Sequence, residues 1–265
     1  MNKFIFSTGG GLGDIYFEFF QNDFFARVKK YTESYIDKYL KLLIVSHNPN
    51  SKDLFTGQDW IDEVKQVEYT HTIEPHLHEF EGYTEIKLED LLSIGHCEKL
   101  EVYLTEQEKE QLEELYQNRY VIIHPKAGQD DRDVMNENLI KRIIEINKEK
   151  GLKVYLIGAN YDRIHHKKEI NPFPDESGLV DLIDKLSVRQ LVHLVKSDSC
   201  IGIHATHSAI IVLAWIFKKP NCCYYPVNSK AEKLMLADKN KWNFGKYYYM
   251  TQIIPIHYDG PSGYD

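Results

Sequence analysis

From residue 120 onward, short β-rich runs alternate with helical stretches at a regular interval, and this rhythm constrains the fold more than any other feature. YVIIH at 120–124 precedes NENLIKRIIEINKEK, whose apolar residues recur on a helical period and whose stop is Gly151. LKVYLIG at 152–158, the short run GLVDLID, the helix SVRQLVHLVKS from Ser187, SCIGI at 199–203, the helix SAIIVLAWIFKK ended by Pro220, and CCYYP follow in turn. Strands separated by helices pair in parallel, which predicts an α/β domain built on a parallel sheet.

The N-terminal part begins in the same way. KFIFS at 3–7 reads as a strand, the glycines behind it as a tight loop, DIYFEFFQNDFFARVKKY as one helix with basic residues at its end, and KLLIVS at 41–46 as the next buried strand. Between 64 and 104 the runs VKQVEYTHTI and EIKLEDLL are compatible with strands or with short helices. TEQEKEQLEELYQN opens at Thr105 with the Thr-x-x-Glu of a capping box and reads as an amphipathic helix leading into a second domain. A chain of 265 residues accommodates two cores. Two Rossmann-like domains are therefore expected, 1–117 and 118–265, with the tail YYYMTQIIPIHYDGPSGYD either returning to the first domain or staying loose.

Composition narrows the class. With 43% hydrophobic and 27% charged residues the chain is folded rather than disordered. No apolar run approaches the roughly 20 residues of a membrane span, and the N-terminus turns into glycines too soon for a signal peptide. A cytoplasmic protein without integral membrane association is expected. Cys97, Cys200, Cys222 and Cys223 lack C-x-x-C spacing and read as reduced, buried, small apolar residues. The formal charge of −8 supplies no global attraction to a polyanion, although a local basic groove remains compatible with it.

STGGGLGDIYFEFF, residues 7–20, raises the question of what approaches this backbone so closely. Gly9, Gly10, Gly11 and Gly13 run directly into Asp14 without the spacing of a dinucleotide fingerprint or the lysine of a P-loop. An acid at a helix start repels phosphate, so Asp14 suits a neutral partner such as a hydroxyl awaiting deprotonation. The structural alternative is helix capping and dipole compensation; the functional one is a general base.

In open α/β sheets ligands bind beyond the carboxyl ends of the strands. HPKAGQDDRD, ANYDR, HATHS and VNSKAEK follow four strands of the second half and offer Lys126, Arg132, Asn160, His204, Thr206, His207, Ser208 and Asn228. Lys126 and Arg132 can neutralise a diphosphate, and Thr206-His207-Ser208 at a helix start can bind one through hydroxyls and backbone N–H groups. Taken singly, each has a plain structural alternative: Thr206 or Ser208 as an N-cap, Lys126 as a solvated cation. Their convergence favours a site. His71, His76 and His78 read as surface or acceptor-side residues rather than a metal centre, and His165-His166-Lys167-Lys168 as a solvated basic run.

The succession IIHPKAG, a helix, GLKVYLIGANYD, then DLIDKLSVRQLVHLVKSDSCIGIHATHSAIIVLAWIFKKP resembles glycosyltransferase family 9, the heptosyltransferase-like enzymes of GT-B fold. The resemblance implies two Rossmann-like domains facing across a cleft. It also implies a nucleotide-sugar site drawing on His124, Lys126, Gly128, Arg132, Gly158, Asn160, Leu186, Ser187, His204, Thr206, His207 and Ser208. Leu186 and Ser187 would lie near the base or ribose. The Gly-Asp of the family's first strand falls on Gly13-Asp14, which makes Asp14 the implied catalytic base. Gly10, Gly11 and Gly13 would then make room for an acceptor and the donor sugar. The sequence departs from the family where His-Pro-Gly becomes His124-Pro125-Lys126. It departs again at the Asp-[Ser/Thr] dipeptide, which corresponds to Ala205-Thr206 or His207-Ser208, and at the family histidine, replaced by Ile210 or Val212.

The implied activity is inverting, metal-independent sugar transfer from a nucleotide-sugar, UDP- or ADP-linked, to a hydroxyl acceptor on a glycan; no other cofactor is implied. Two alternatives stay open. One is a glycosyltransferase acting on hydroxymethylated bases of phage DNA, for which Lys29, Lys30 and the stretch 231–242 are candidate phosphate contacts. The other is a non-catalytic nucleotide-sugar-binding module.

Overall fold

The computed structural model describes residues 1–20, 23–46, 48–68, 78–95, 97–126, 135–158, 173, 178–226 and 251–256. The chain divides into two compact units. Met1–Lys109 with Ser187–Val192 form the first, and Glu110–Leu186 with His193–Asp265 the second.

The first unit holds a parallel sheet of order β3-β2-β1-β4, with β1 at Asn2–Gly10, β2 at Lys38–Ser46, β3 at Glu63–Glu68 and β4 at Thr84–Glu85. Successive residues Phe4, Ile5 and Phe6 are all buried, as expected of a parallel strand covered on both faces. Helix α1 (Leu12–Phe20) follows β1 directly, and α2 (Phe24–Glu33) follows α1. The single helix expected over this stretch is in fact two, because Asp23 adopts the left-handed conformation (φ 55°) at the start of α2. Aspartate tolerates that region better than most residues, and the turn it makes ends one helical path and opens another. Phe25 on α2 packs its ring 4.8 to 5.8 Å from those of Phe6, Phe19 and Phe55, closing the core over β1.

The stretch that sequence left open resolves into β3, a 3-10 turn at His78–Phe80, the two-residue β4 and α3 (Leu88–Leu92). Helix α4 (Glu106–Tyr116) starts with the expected capping box, in which Thr105 N–H donates to Glu108 at 2.8 Å and Glu108 N–H to the Thr105 hydroxyl at 3.2 Å.

The second unit holds a parallel sheet of order β10-β9-β8-β5-β6-β7. Its strands are β5 (Tyr120–His124), β6 (Lys153–Leu156), β7 (Leu179–Asp181), β8 (Cys200–Thr206), β9 (Asn221–Pro226) and β10 (Thr251–Ile256). Helix α5 (Glu137–Glu149) is capped by the Asn136 side chain, which accepts from Leu139 N–H, and ends before Gly151 at φ 72°. Its Ile140, Ile143 and Ile144 pack on Val121, Ile123, Val154 and Leu156, the alternate residues of β5 and β6. Helix α6 (Val188–Lys196) contributes its residues up to Val192 to the first unit, whereas α7 (Ala209–Ile216) belongs to this one. α7 is apolar all round, with five of its residues buried, the pattern of a helix enclosed by its own domain. In the C-terminal tail, 251–256 pairs in parallel with β9 and forms the edge of this sheet.

Candidate active site

Two groups of polar residues lie beyond strand ends, one in each unit. In the first, β1 ends at Gly10 and Asp14 occupies the first turn of α1. Its exposed carboxylate accepts the Gly11 N–H at 2.9 Å, while the Asp14 and Ile15 N–H groups donate to the Gly11 carbonyl at 3.0 and 3.3 Å. Gly10 has φ +125°, and a Cβ there would come within 2.8 Å of Asp14 Oδ2. Glycine at this position is therefore demanded by the positive φ, and the Asp14 side chain crowds the space a Cβ would take. At Gly11 the same oxygen would lie at 3.5 Å, an ordinary contact, and Gly13 is half-buried within α1.

One turn further along α1 is Glu18, which sequence reasoning passed over. Its carboxyl accepts a hydrogen bond from the buried Thr8 hydroxyl of β1. Burial pushes the Glu18 carboxyl up to about 7; the Thr8 bond opposes this and the charge of Asp14 adds to it. The available signal was a single acid inside the aromatic run IYFEFF, where the helical period turns it toward apolar neighbours.

In the second unit β5 and β8 are adjacent and end together, His124 pairing with Ala205. Ser208 precedes α7, but its hydroxyl makes no cap to the helix; it lies 2.9 Å from His124 Nδ1. The first N–H groups of a helix have no intrahelical acceptors, so the start of α7 is left able to receive an anion. Thr206, fully buried at the end of β8, has a hydroxyl with no hydrogen-bond partner among the described residues.

His204, two residues earlier, lies 3.0 Å by Nδ1 from the Tyr224 hydroxyl, with the two rings stacked at 6.1 Å. Burial lowers the His204 imidazole to about 4, helped by the Lys150 charge, so the ring is neutral at pH 7. His207 turns its ring to Trp215 at 6.1 Å. Lys126 is half-buried just beyond β5. The Gly158 carbonyl, beyond β6, accepts from Asp184 N–H at 3.0 Å.

Leu186 is half-buried. The Ser187 hydroxyl donates to Glu108 at 2.5 Å and accepts from Gln190 N–H at 3.1 Å, capping α6. Gly128, Arg132, Asn160, Asn228 and the basic stretch 231–242 lie outside the described residues, as do His71, His76, the 165–168 run and the side chain of His78. Among the described residues no group of three or more histidine, cysteine, aspartate or glutamate side chains could hold a metal ion, and no helix is long and apolar enough to cross a membrane.

No family model and no curated protein sequence matches the chain. Solved structures do. The glycosyl transferase family 9 protein of Veillonella parvula aligns at TM-score 0.56 and 10% identity, over 97% of this chain and 86% of that one. The ADP-heptose LPS heptosyltransferase II of Escherichia coli aligns at TM-score 0.57 and 11% identity, over 98% and 92% respectively. The heptosyltransferase WaaC of E. coli with ADP aligns at TM-score 0.53 and 8% identity, over 96% and 90%. At such identities the likeness is one of fold: the chain has the α/β architecture of the solved GT-B heptosyltransferases, the fold that the resemblance of its strand-end motifs implied.

Proposed function

We propose that the chain is an inverting, metal-independent glycosyltransferase that moves a sugar from a nucleotide-sugar to a hydroxyl acceptor on a glycan. The observation that carries this reading is the mounting of Asp14. Its carboxylate is exposed beyond the end of β1 and fixed by the Gly11 N–H, on a turn whose Gly10 is shaped around it. A base held in this way is ready to take a proton from a neutral hydroxyl without reorganisation.

In the reaction, the acceptor hydroxyl gives its proton to Asp14 as its oxygen bonds to the anomeric carbon. The bond from that carbon to the diphosphate breaks on the opposite face, which inverts configuration. The leaving group takes the electron pair, and its charge is met by Lys126, the first N–H groups of α7 and the hydroxyls of Ser208 and Thr206. Support for the donor side comes from the Thr206 hydroxyl, which has no partner among the described residues, and from the start of α7, where the Ser208 side chain makes no cap. An ADP-linked sugar is the first donor to examine, because WaaC was solved with ADP and heptosyltransferase II is named for ADP-heptose.

The test is thermal stabilisation of the purified chain by a panel of nucleoside diphosphates and sugar nucleotides without added metal. A ligand at a hundred times its dissociation constant adds about 2.7 kcal/mol to stability. A shift with ADP and ADP-heptose, and loss of turnover with retained donor binding in Asp14→Asn, are the expected results. Absence of any shift would remove the donor site, and full turnover by Asp14→Asn would remove Asp14 as the base.

A further inference from the structure

We propose that Glu18 is a positioning residue for Asp14: through the Thr8 bond it ties the end of β1 to α1, one helical turn along from the carboxylate that the Gly11 N–H holds. The inference rests on Asp14 being the base. Asp14 and Glu18 are four residues apart on α1, a spacing that puts two side chains on one helix face about 6 Å apart along the axis. Thr8 lies two residues before Gly10, so the bond from its hydroxyl to Glu18 anchors the strand end from which the glycine turn departs. Gly11, at the other end of that turn, holds Asp14. The two carboxyls are thus fastened to successive parts of one short backbone segment.

Glu18 is half-buried and Asp14 is exposed, which separates their roles. Asp14 is reachable by an acceptor. Glu18, with its carboxyl pushed up to about 7 by burial, is neutral below that pH and bears a second negative charge above it. β1 brings Lys3 at its far end and α2 brings Asp23 and Arg27 at its start; among the described residues the ionic group acting on Glu18 is Asp14. Coupling between two sites is reciprocal. Since the Asp14 charge raises Glu18, ionisation of Glu18 makes Asp14 a stronger base.

Carboxyl carbon NMR titration of the full chain, followed by the pH dependence of ADP release from ADP-heptose with water as acceptor, tests this. The expected results are a Glu18 transition near pH 7, a small second response of Asp14 over the same range, and loss of that response in Glu18→Gln. Turnover of the parent chain rises again through pH 7, and Glu18→Gln loses this rise while keeping donor affinity. Thr8→Val, which removes the hydrogen bond that lowers Glu18, moves the rise to higher pH. A Glu18 transition in the ordinary carboxylate range, or an Asp14 titration unchanged by Glu18→Gln, overturns the inference. If Asp14→Asn keeps full turnover, the general-base reading fails instead; if Asp14→Asn is inactive and Glu18→Gln has the parental pH profile, this inference alone fails.

Discussion

Ser187 donates its hydroxyl hydrogen to the carboxylate of Glu108 at 2.5 Å, joining the caps of two helices. Glu108 also receives the Thr105 N–H of its own helix at 2.8 Å and the Arg189 guanidinium at 3.0 Å, and its backbone carbonyl accepts from the Gln190 amide at 3.3 Å. Ser187 is at once the cap of α6 and a ligand of the cap of α4, so its hydroxyl is already engaged at the position where a nucleotide contact was expected. With side chains only 12% and 11% exposed, Arg189 and Glu108 form a largely buried pair. Removing one member leaves the other charge without compensation, and Glu108→Ala is expected to cost about 3 kcal/mol, read as a lower denaturant midpoint. Burial alone would raise the Glu108 carboxyl, but the Ser187, Thr105 and Arg189 contacts outweigh it and hold it below the ordinary range. A carboxyl lowered on folding contributes stability above its unfolded pKa, and that contribution disappears as pH falls through the folded value. Glu108→Gln flattens this acid limb.

Gly10→Ala is expected to destabilise the chain by about 2 kcal/mol. The added methyl meets Asp14 Oδ2 at 2.8 Å on a backbone at φ +125°. Gly11→Ala, with 3.5 Å to the same oxygen and no positive φ, is the control and costs far less. Chemical denaturation of the two variants side by side checks the difference.

His204 gives the fold a second acid-sensitive group. Burial disfavours the imidazolium and pushes the folded ring down to about 4, from an ordinary imidazole value of about 6.5. The neutral ring's contribution is therefore complete above pH 6.5 and is lost progressively as pH falls toward 4. The whole effect is on the order of 3 kcal/mol. His204→Gln cannot titrate, so the melting temperature of that variant varies less with pH between 6.5 and 4 than that of the parent.

Thr206→Val separates stability from binding. The Thr206 hydroxyl is buried without a partner among the described residues, and replacing it by a methyl of similar shape is expected to raise stability by about 1 kcal/mol. Under the proposed function the same change weakens binding of a nucleoside diphosphate. Thermal denaturation without ligand and calorimetric titration with ADP read the two effects independently.

What the sequence made legible was mostly local. YVIIH is β5 to the residue, Asn136 and Thr105 cap the helices they precede, and Gly151 takes the positive φ that ends α5. Each of these depends on atoms a few residues apart, so spacing carries the information. The turn at Asp23 escaped because the aromatic period runs on through it, and β4 because two residues show no alternation. At the sites, Asp14 was legible from its glycines, whereas Glu18 depends on Thr8, ten residues away on a strand. The engagement of Ser187 was out of reach, since its partner Glu108 is 79 residues away and only the folded chain brings two helix starts together.

The assignment of Ser187–Val192 to the first unit bears on the order in which that unit is made. Domains synthesised as continuous stretches fold as they leave the ribosome, N-terminal first. Here the first unit is unfinished after Lys109: Glu108 waits for Ser187 and Arg189, and the Tyr16 hydroxyl for the Val188 carbonyl that it reaches at 3.1 Å. The helix bearing Asp14 and Glu18 therefore gains its last tether only after β5, β6 and β7 have been translated, so maturation of the proposed base is timed by synthesis of much of the other unit.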